Sequence, residues 1–201
     1  CIFCNQKRIT GESGKTDFDK VYNKIENCLG TAPEEAEIEI AFFGGSFTGI
    51  DMSEQNRYLE IAQSFFKDKR VKGIRLSTRP DYMSEEILLN LKKDGVTAIE
   101  LGVQSMDDEV LLKNKRNLLA ESAVKASMMI KSYGFELGLQ MMTGMYGSDV
   151  NKDIDTAEKI IKLNPKTVRI YPTVVIEDTK LYQFYEEGRY QPYSLNDTVE
   201  L

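Results

Sequence analysis

Residues Glu37–Gly49 read EIEIAFFGGSFTG. Apolar Ile38 and Ile40 alternate with Glu37 and Glu39, the period of a strand with one buried face, and Gly44-Gly45 ends the run. Downstream, Ser53 precedes a segment with Tyr58, Leu59, Ala62 and Phe65–Phe66 at helical spacing, so Ser53 is read as the cap of a helix. Strand, glycine turn and helix make one βα unit, and the unit recurs. Further β-like runs are Gly73–Ser77, Thr97–Val103, Phe135–Met141 and Thr167–Pro172; with Glu37–Phe43, their starts lie 36, 24, 38 and 32 residues apart. Ser84, followed by Glu85 and Glu86, suits a helix start. Leu119–Tyr133 meets Gly134, a left-handed stop. Asn151–Leu163 places Ile154, Ala157, Ile160 and Ile161 on one face. A helix over Phe18–Leu29 precedes the first of the strands and calls for one more strand upstream of Cys1. The expected fold is therefore α/β: a parallel sheet of six strands, the first lying before Cys1, wound by right-handed crossovers into an open sheet or a barrel. The tyrosine-rich segment Leu181–Leu201 falls outside this repeat. We read residues 1–177 as the barrel and 178–201 as the start of a C-terminal extension.

In parallel α/β folds, ligands bind at the carboxyl ends of strands. Polar residues gather there: Gly44-Gly45-Ser46, Ser77-Thr78-Arg79-Pro80, Gln104-Ser105, Gln140, and Tyr171–Val174.

Composition narrows the chemistry. The chain has 201 residues, a net charge of −6, three cysteines and no histidine. An acidic chain has no global field for nucleic acid. No apolar run reaches the length of a membrane span, so no membrane is expected. An odd number of cysteines at spacings that suggest no disulfide framework favours a reducing compartment, here the cytoplasm. Without imidazole the usual general base and the Ser-His and Cys-His pairs are excluded, which points to chemistry carried by a cofactor.

Two phosphate-like motifs fail. GESGKT at Gly11–Thr16 has Ile9 where a P-loop needs glycine, and no strand immediately precedes it. GGSFTG at Gly44–Gly49 has Ser46 where a dinucleotide fingerprint needs its second glycine. The cysteines carry more. CIFCNQ places Cys1 and Cys4 at metal-ligand spacing at the first visible residue, so we expect the visible chain to start partway through a metal site. A thioredoxin-type pair, half a zinc site and an iron–sulfur site all use CxxC. Zinc would need two more ligands, and only Cys28, inside the expected helix, remains. A CxxxCxxC set, with its first cysteine four residues before Cys1, would bind three irons of a [4Fe–4S] cluster and leave the fourth open.

At this point the sequence resembles the radical SAM superfamily. CIFCNQ is similar to the family's last two cluster ligands with an aromatic, Phe3, before the final cysteine. FFGGSFTG resembles its glycine-rich "GGE" segment with Ser46 in place of the acid. STRPD at Ser77–Asp81, LGVQS at Leu101–Ser105 and the strand bearing Gln140 follow in the family's order. Within the family the sequence looks like the radical SAM domain of the Elongator catalytic subunit and, more distantly, like oxygen-independent coproporphyrinogen III oxidase.

The resemblance implies a partial (β/α)6 TIM-like barrel, with Cys1 and Cys4 on a [4Fe–4S] cluster that binds S-adenosylmethionine and cleaves it reductively to a 5′-deoxyadenosyl radical. It implies that Gly44, Gly45 and Ser46 meet the methionine ammonium and that Arg116, twelve residues after Gln104, meets its carboxylate. Gln104 and Gln140 would bond the ribose, where Gln140 replaces an aspartate of the relative. Ser77 falls where the relative has glutamate. Phe3, Met142 and Val174 would line the adenine. It further implies an electron donor such as flavodoxin or ferredoxin, and a substrate that is a small molecule or tRNA. The competing readings are a barrel serving as a non-catalytic binding module, and a zinc or thiol-redox protein using Cys1 and Cys4.

Overall fold

The structure, a computed structural model, describes residues 1–10 and 17–201. GESGKT at Gly11–Thr16 lies outside the described residues. The described strands are β1 (Ile38–Phe42), β2 (Val71–Thr78), β3 (Val96–Gln104), β4 (Glu136–Thr143) and β5 (Thr167–Pro172). They form one parallel sheet in the order β1-β2-β3-β4-β5. Around it run α1 (Gln6–Thr10), α2 (Phe18–Thr31), α3 (Met52–Gln63), α4 (Glu85–Lys93), α5 (Asp108–Lys113), α6 (Ala120–Ser132), α7 (Val150–Lys162), α8 (Lys180–Glu186) and α9 (Leu195–Glu200).

Each inner strand presents one apolar face. Ile40, Ile74, Leu76, Ile99, Leu101, Val103, Leu137, Leu139 and Met141 pack with Leu59 and Ala62 of α3, Leu88 and Leu91 of α4, Ala126 and Ile130 of α6, and Ile160 of α7. The other face carries Glu39, Arg75, Glu100, Gln140 and Arg169. Arg75 joins Glu39 at 2.8 Å and Glu136 at 3.5 Å across three strands. Arg169, on the edge strand β5, lies 4.4 Å over the ring of Phe43, which follows the opposite edge strand β1. A flat sheet would hold these edges far apart, so the sheet is curled into the partial barrel that the sequence led us to expect.

The caps explain most element limits. Ser84 accepts from Ile87 N at 3.3 Å, as expected. Gly134 has φ +80°, closing the chain after α6. The Ser53 assignment is corrected: Asp51 is the cap of α3, its carboxylate accepting from both the backbone N and the hydroxyl of Ser53. The helical face expected for Asn151–Leu163 also differs. Of its isoleucines only Ile160 is buried, while Ile154 and Ile161 are exposed and Asp153 and Thr156 point inward. The inward polar pair has work to do: Thr156 Oγ1 accepts from Met106 N at 3.1 Å, and Asp153 holds the loop after β4. Four helices escaped the sequence reading: α1, directly after Cys4, α5, and α8 and α9 in the tyrosine-rich segment. Among the described residues no helix is long and apolar enough to cross a membrane.

Gly73 in β2 is fixed by close approach. A Cβ there would lie 2.2 Å from Thr97 Oγ1 and 2.8 Å from Thr97 Cβ. Thr97 cannot swing away freely, because its hydroxyl donates to the Ile74 carbonyl at 3.2 Å. Gly73→Ala is therefore expected to lower stability by about 1–3 kcal/mol, read from denaturant unfolding; an unchanged midpoint would contradict the packing described.

Candidate functional site

The carboxyl ends of the strands surround a cavity of about 660 Å³. All twelve residues singled out from the sequence line it: Cys1, Phe3, Cys4, Gly44, Gly45, Ser46, Ser77, Gln104, Arg116, Gln140, Met142 and Val174. Cys28 does not; it is exposed on α2.

The cysteine loop is pinned from two sides. Ile2, between the two cysteines, donates its N–H to the Asn114 carbonyl at 3.2 Å and accepts from Leu181 N at 2.8 Å. Its side chain is buried with Leu181, Phe184 and Tyr190. Thus α8 and the chain after it hold Cys1 and Cys4 against the barrel, the task the tyrosine-rich segment performs here.

After β1, Gly44 has φ +106°, a conformation open to glycine. A Cβ at Gly45 would meet nothing within 4 Å, so this backbone faces open cavity. Ser77 Oγ donates to the Gly45 carbonyl at 3.3 Å and ties the loop to β2. At the end of β3, Gln104 takes φ +73°, rare for a residue with a side chain and typical of strained functional positions. Its Oε1 accepts from Gln140 Nε2 at 3.3 Å, so the two amides form one polar edge.

Arg116 has the most unusual environment. It follows α5 between Lys115 (φ +54°) and Asn117 (φ +50°), two left-handed residues that turn it inward. It is only 4% exposed. One Nη donates to the Gly102 carbonyl and the other lies 3.7 Å from Cys1 Sγ, while Nε is buried with no hydrogen-bond partner among the described residues. Its pKa is pushed down to about 10, chiefly by burial and secondly by the guanidinium of Arg79. Among the described residues no carboxylate forms an ion pair with it, and a buried cation without such a partner is costly unless a ligand supplies the anion.

The sequence reading placed Arg79 at the rim without giving it a role, and passed over Arg169. Arg79 grips Asp81 at 2.7 Å and donates to the Arg116 carbonyl at 3.3 Å, so the STRPD segment braces the loop that presents Arg116. Arg169 and Tyr171 line the cavity as well. Their alternation with Val168 and Ile170 was the available signal, since period two puts them on one face. The lining residues include three arginines and, among the described residues, no carboxylate, although the chain is acidic overall. Nor do three or more Cys, Asp or Glu converge as a metal-binding group among the described residues. That removes a complete zinc site formed by these residues alone.

Comparison with known proteins fits this geometry. The family profile described as Radical SAM superfamily matches residues 1–160, and that of the Radical_SAM C-terminal domain matches 165–201. A tRNA uridine(34) acetyltransferase of Methanocaldococcus jannaschii is 32% identical over 198 residues, covering 89% of this chain and 37% of the relative. The solved structure of the archaeal Methanocaldococcus infernus Elp3 with an N-terminal deletion aligns with TM-score 0.75 at 30% identity, over 88% of this chain and 46% of that one. Coproporphyrinogen III oxidase (HemN) from Escherichia coli aligns with TM-score 0.65 at 17% identity, over 98% and 46%, a likeness of fold. The chain thus spans less than half the length of these proteins.

Proposed function

The chain belongs to the radical SAM superfamily, and on that premise we propose that it is the barrel of an enzyme that cleaves S-adenosylmethionine reductively at a [4Fe–4S] cluster. The observation that carries this reading is Arg116: a buried guanidinium with no ion-paired carboxylate among the described residues, beside a cysteine thiol, in a cavity walled by exposed glycine backbone. The donor set suits the group. Cys1 and Cys4 are soft thiol ligands on one loop, and thiolates are the ligands iron–sulfur clusters take. When bound, the cluster supplies the electron that splits the sulfonium into methionine and a 5′-deoxyadenosyl radical for hydrogen abstraction.

The chain's own residues then have definite tasks. Arg116 receives the methionine carboxylate through charge-assisted bonds. Gly44, Gly45 and Ser46 offer backbone to the ammonium. Gln104 and Gln140 meet the ribose hydroxyls, and Phe3, Met142 and Val174 border the adenine. Ser77 holds the Gly45 loop. The substrate we favour is tRNA, supported by the function named for the Methanocaldococcus jannaschii relative. A flavodoxin- or ferredoxin-type donor and a cytoplasmic location complete the reading, the latter supported by three free cysteines. Residues 1–177 serve as the barrel and 178–201 as the start of an extension that secures the cysteine loop.

Anaerobic reconstitution with iron and sulfide tests the cluster. The intact protein is expected to turn brown and to bleach with dithionite. Loss of an outer partner alone typically weakens metal sites about 10- to 100-fold, so Cys1→Ser and Cys4→Ser should each reduce iron retention at least that much. Tight zinc binding with no iron would contradict the proposal.

A further inference from the structure

Arg169 sits on β5 in register with Gln140. Its guanidinium is braced on three sides. It lies 4.4 Å over the Phe43 ring, its Nε is 3.3 Å from Glu100 Oε1, and its Nη1 donates to the Tyr171 hydroxyl at 3.3 Å. Glu100 is buried, and Gly138 leaves it room: a Cβ there would lie 3.0 Å from Glu100 Cγ. Despite this bracing, 40% of the Arg169 side chain is exposed and it borders the cavity. The other two cavity guanidiniums are otherwise engaged: Arg79 chelates Asp81, and Arg116 lies beside Cys1 Sγ. Arg169 enters from the β1–β5 side, apart from the loop that carries Arg116. A pre-oriented guanidinium facing a cavity whose described lining holds no carboxylate is suited to an oxyanion.

We infer that Arg169 and the Tyr171 hydroxyl form a second oxyanion-binding subsite in this cavity, one that takes a phosphate or carboxylate group of the substrate. Calling the ligand a substrate rests on the proposed S-adenosylmethionine site; the anion binding itself does not. Glu100 and Phe43 are positioning residues, since they set the direction of the guanidinium.

The probes are inorganic phosphate and acetate, titrated separately into the purified protein by calorimetry at fixed ionic strength in chloride. At least one of them is expected to bind. Arg169→Met should weaken that binding by about tenfold or more and Tyr171→Phe by about two- to fivefold. Preference for phosphate identifies a phosphate-bearing ligand, and preference for acetate a carboxylic acid. Because Arg169→Met strands Glu100, the paired variant Arg169→Met/Glu100→Gln is measured too, and the same loss is expected there. Binding of neither anion, or unchanged affinity in a folded Arg169 variant, overturns the inference. S-adenosylmethionine is titrated alongside into the reconstituted, unsubstituted protein. Its failure to bind would contradict the preceding reading and leave the anion result to decide this one.

Discussion

Arg116→Met is expected to weaken S-adenosylmethionine binding by roughly 30-fold to more than 1000-fold, the range found when one partner of a buried charge pair is removed. The same substitution should stabilise the ligand-free protein. Arg116 is 4% exposed, and burial pushes its pKa down to about 10. That depression from the ordinary arginine value means the folded state disfavours the charged form by about 3 kcal/mol at neutral pH. The bond to the Gly102 carbonyl offsets part of this, so the methionine variant should gain about 1–3 kcal/mol. The sign with pH follows. Between the lowered pKa and the ordinary arginine value the unfolded chain binds more protons, so the cost is fully present below about 10 and fades as pH rises above it. The stability gap between variant and parent should therefore shrink in that window. A protein that loses affinity and gains stability has a residue kept for its ligand. Unchanged affinity would make Arg116 a structural cation.

Asp153→Ala is expected to cost about 3–5 kcal/mol, because it strands several donors at once, each worth about 1–3 kcal/mol when buried and unpaired. Asp153 is 2% exposed and accepts from Gly144 N at 2.8 Å, Ser148 Oγ at 2.6 Å and the Tyr193 hydroxyl at 2.9 Å. It joins the loop after β4 to the C-terminal segment. Nearby, the Tyr190 hydroxyl donates to the Gly144 carbonyl at 2.7 Å, and Tyr190 packs with Ile2 between the cysteines. For a chain of this size the loss corresponds to a fall in melting temperature of roughly 6–20 °C. Tyr193→Phe, which removes one of these bonds, should cost only about 1 kcal/mol. Equal small losses for both variants would show that the carboxylate is not the hub.

What the sequence revealed was set by local pattern. Alternation in EIEIAFF and its successors located the strands, because β1 to β4 each bury one face on the same core, while β5 kept the pattern with Val168 and Ile170 exposed. Their carboxyl ends then located the cavity, since a parallel sheet fixes that rim. What escaped was decided at long range. Asp153 sits on α7 among isoleucines, and nothing nearby in sequence announces Gly144 or Tyr193 as its partners. The role of Arg169 depends on how far the sheet curls, which brings Phe43 to it from the other edge. Arg79 was visible inside STRPD, yet its contact with the Arg116 carbonyl exists only because α5 ends in a left-handed turn. The cap of α3 was misplaced by two residues, since Asp51 and Ser53 are both good cap residues and the carboxylate outreached the hydroxyl.

The most direct test is product analysis. The intact protein is loaded with iron and sulfide in the absence of oxygen, reduced with dithionite and mixed with S-adenosylmethionine. The expected products are 5′-deoxyadenosine and methionine, formed only with reductant and absent from Cys4→Ser. Recovery of intact S-adenosylmethionine from protein that carries a reduced cluster would exclude reductive cleavage by this barrel.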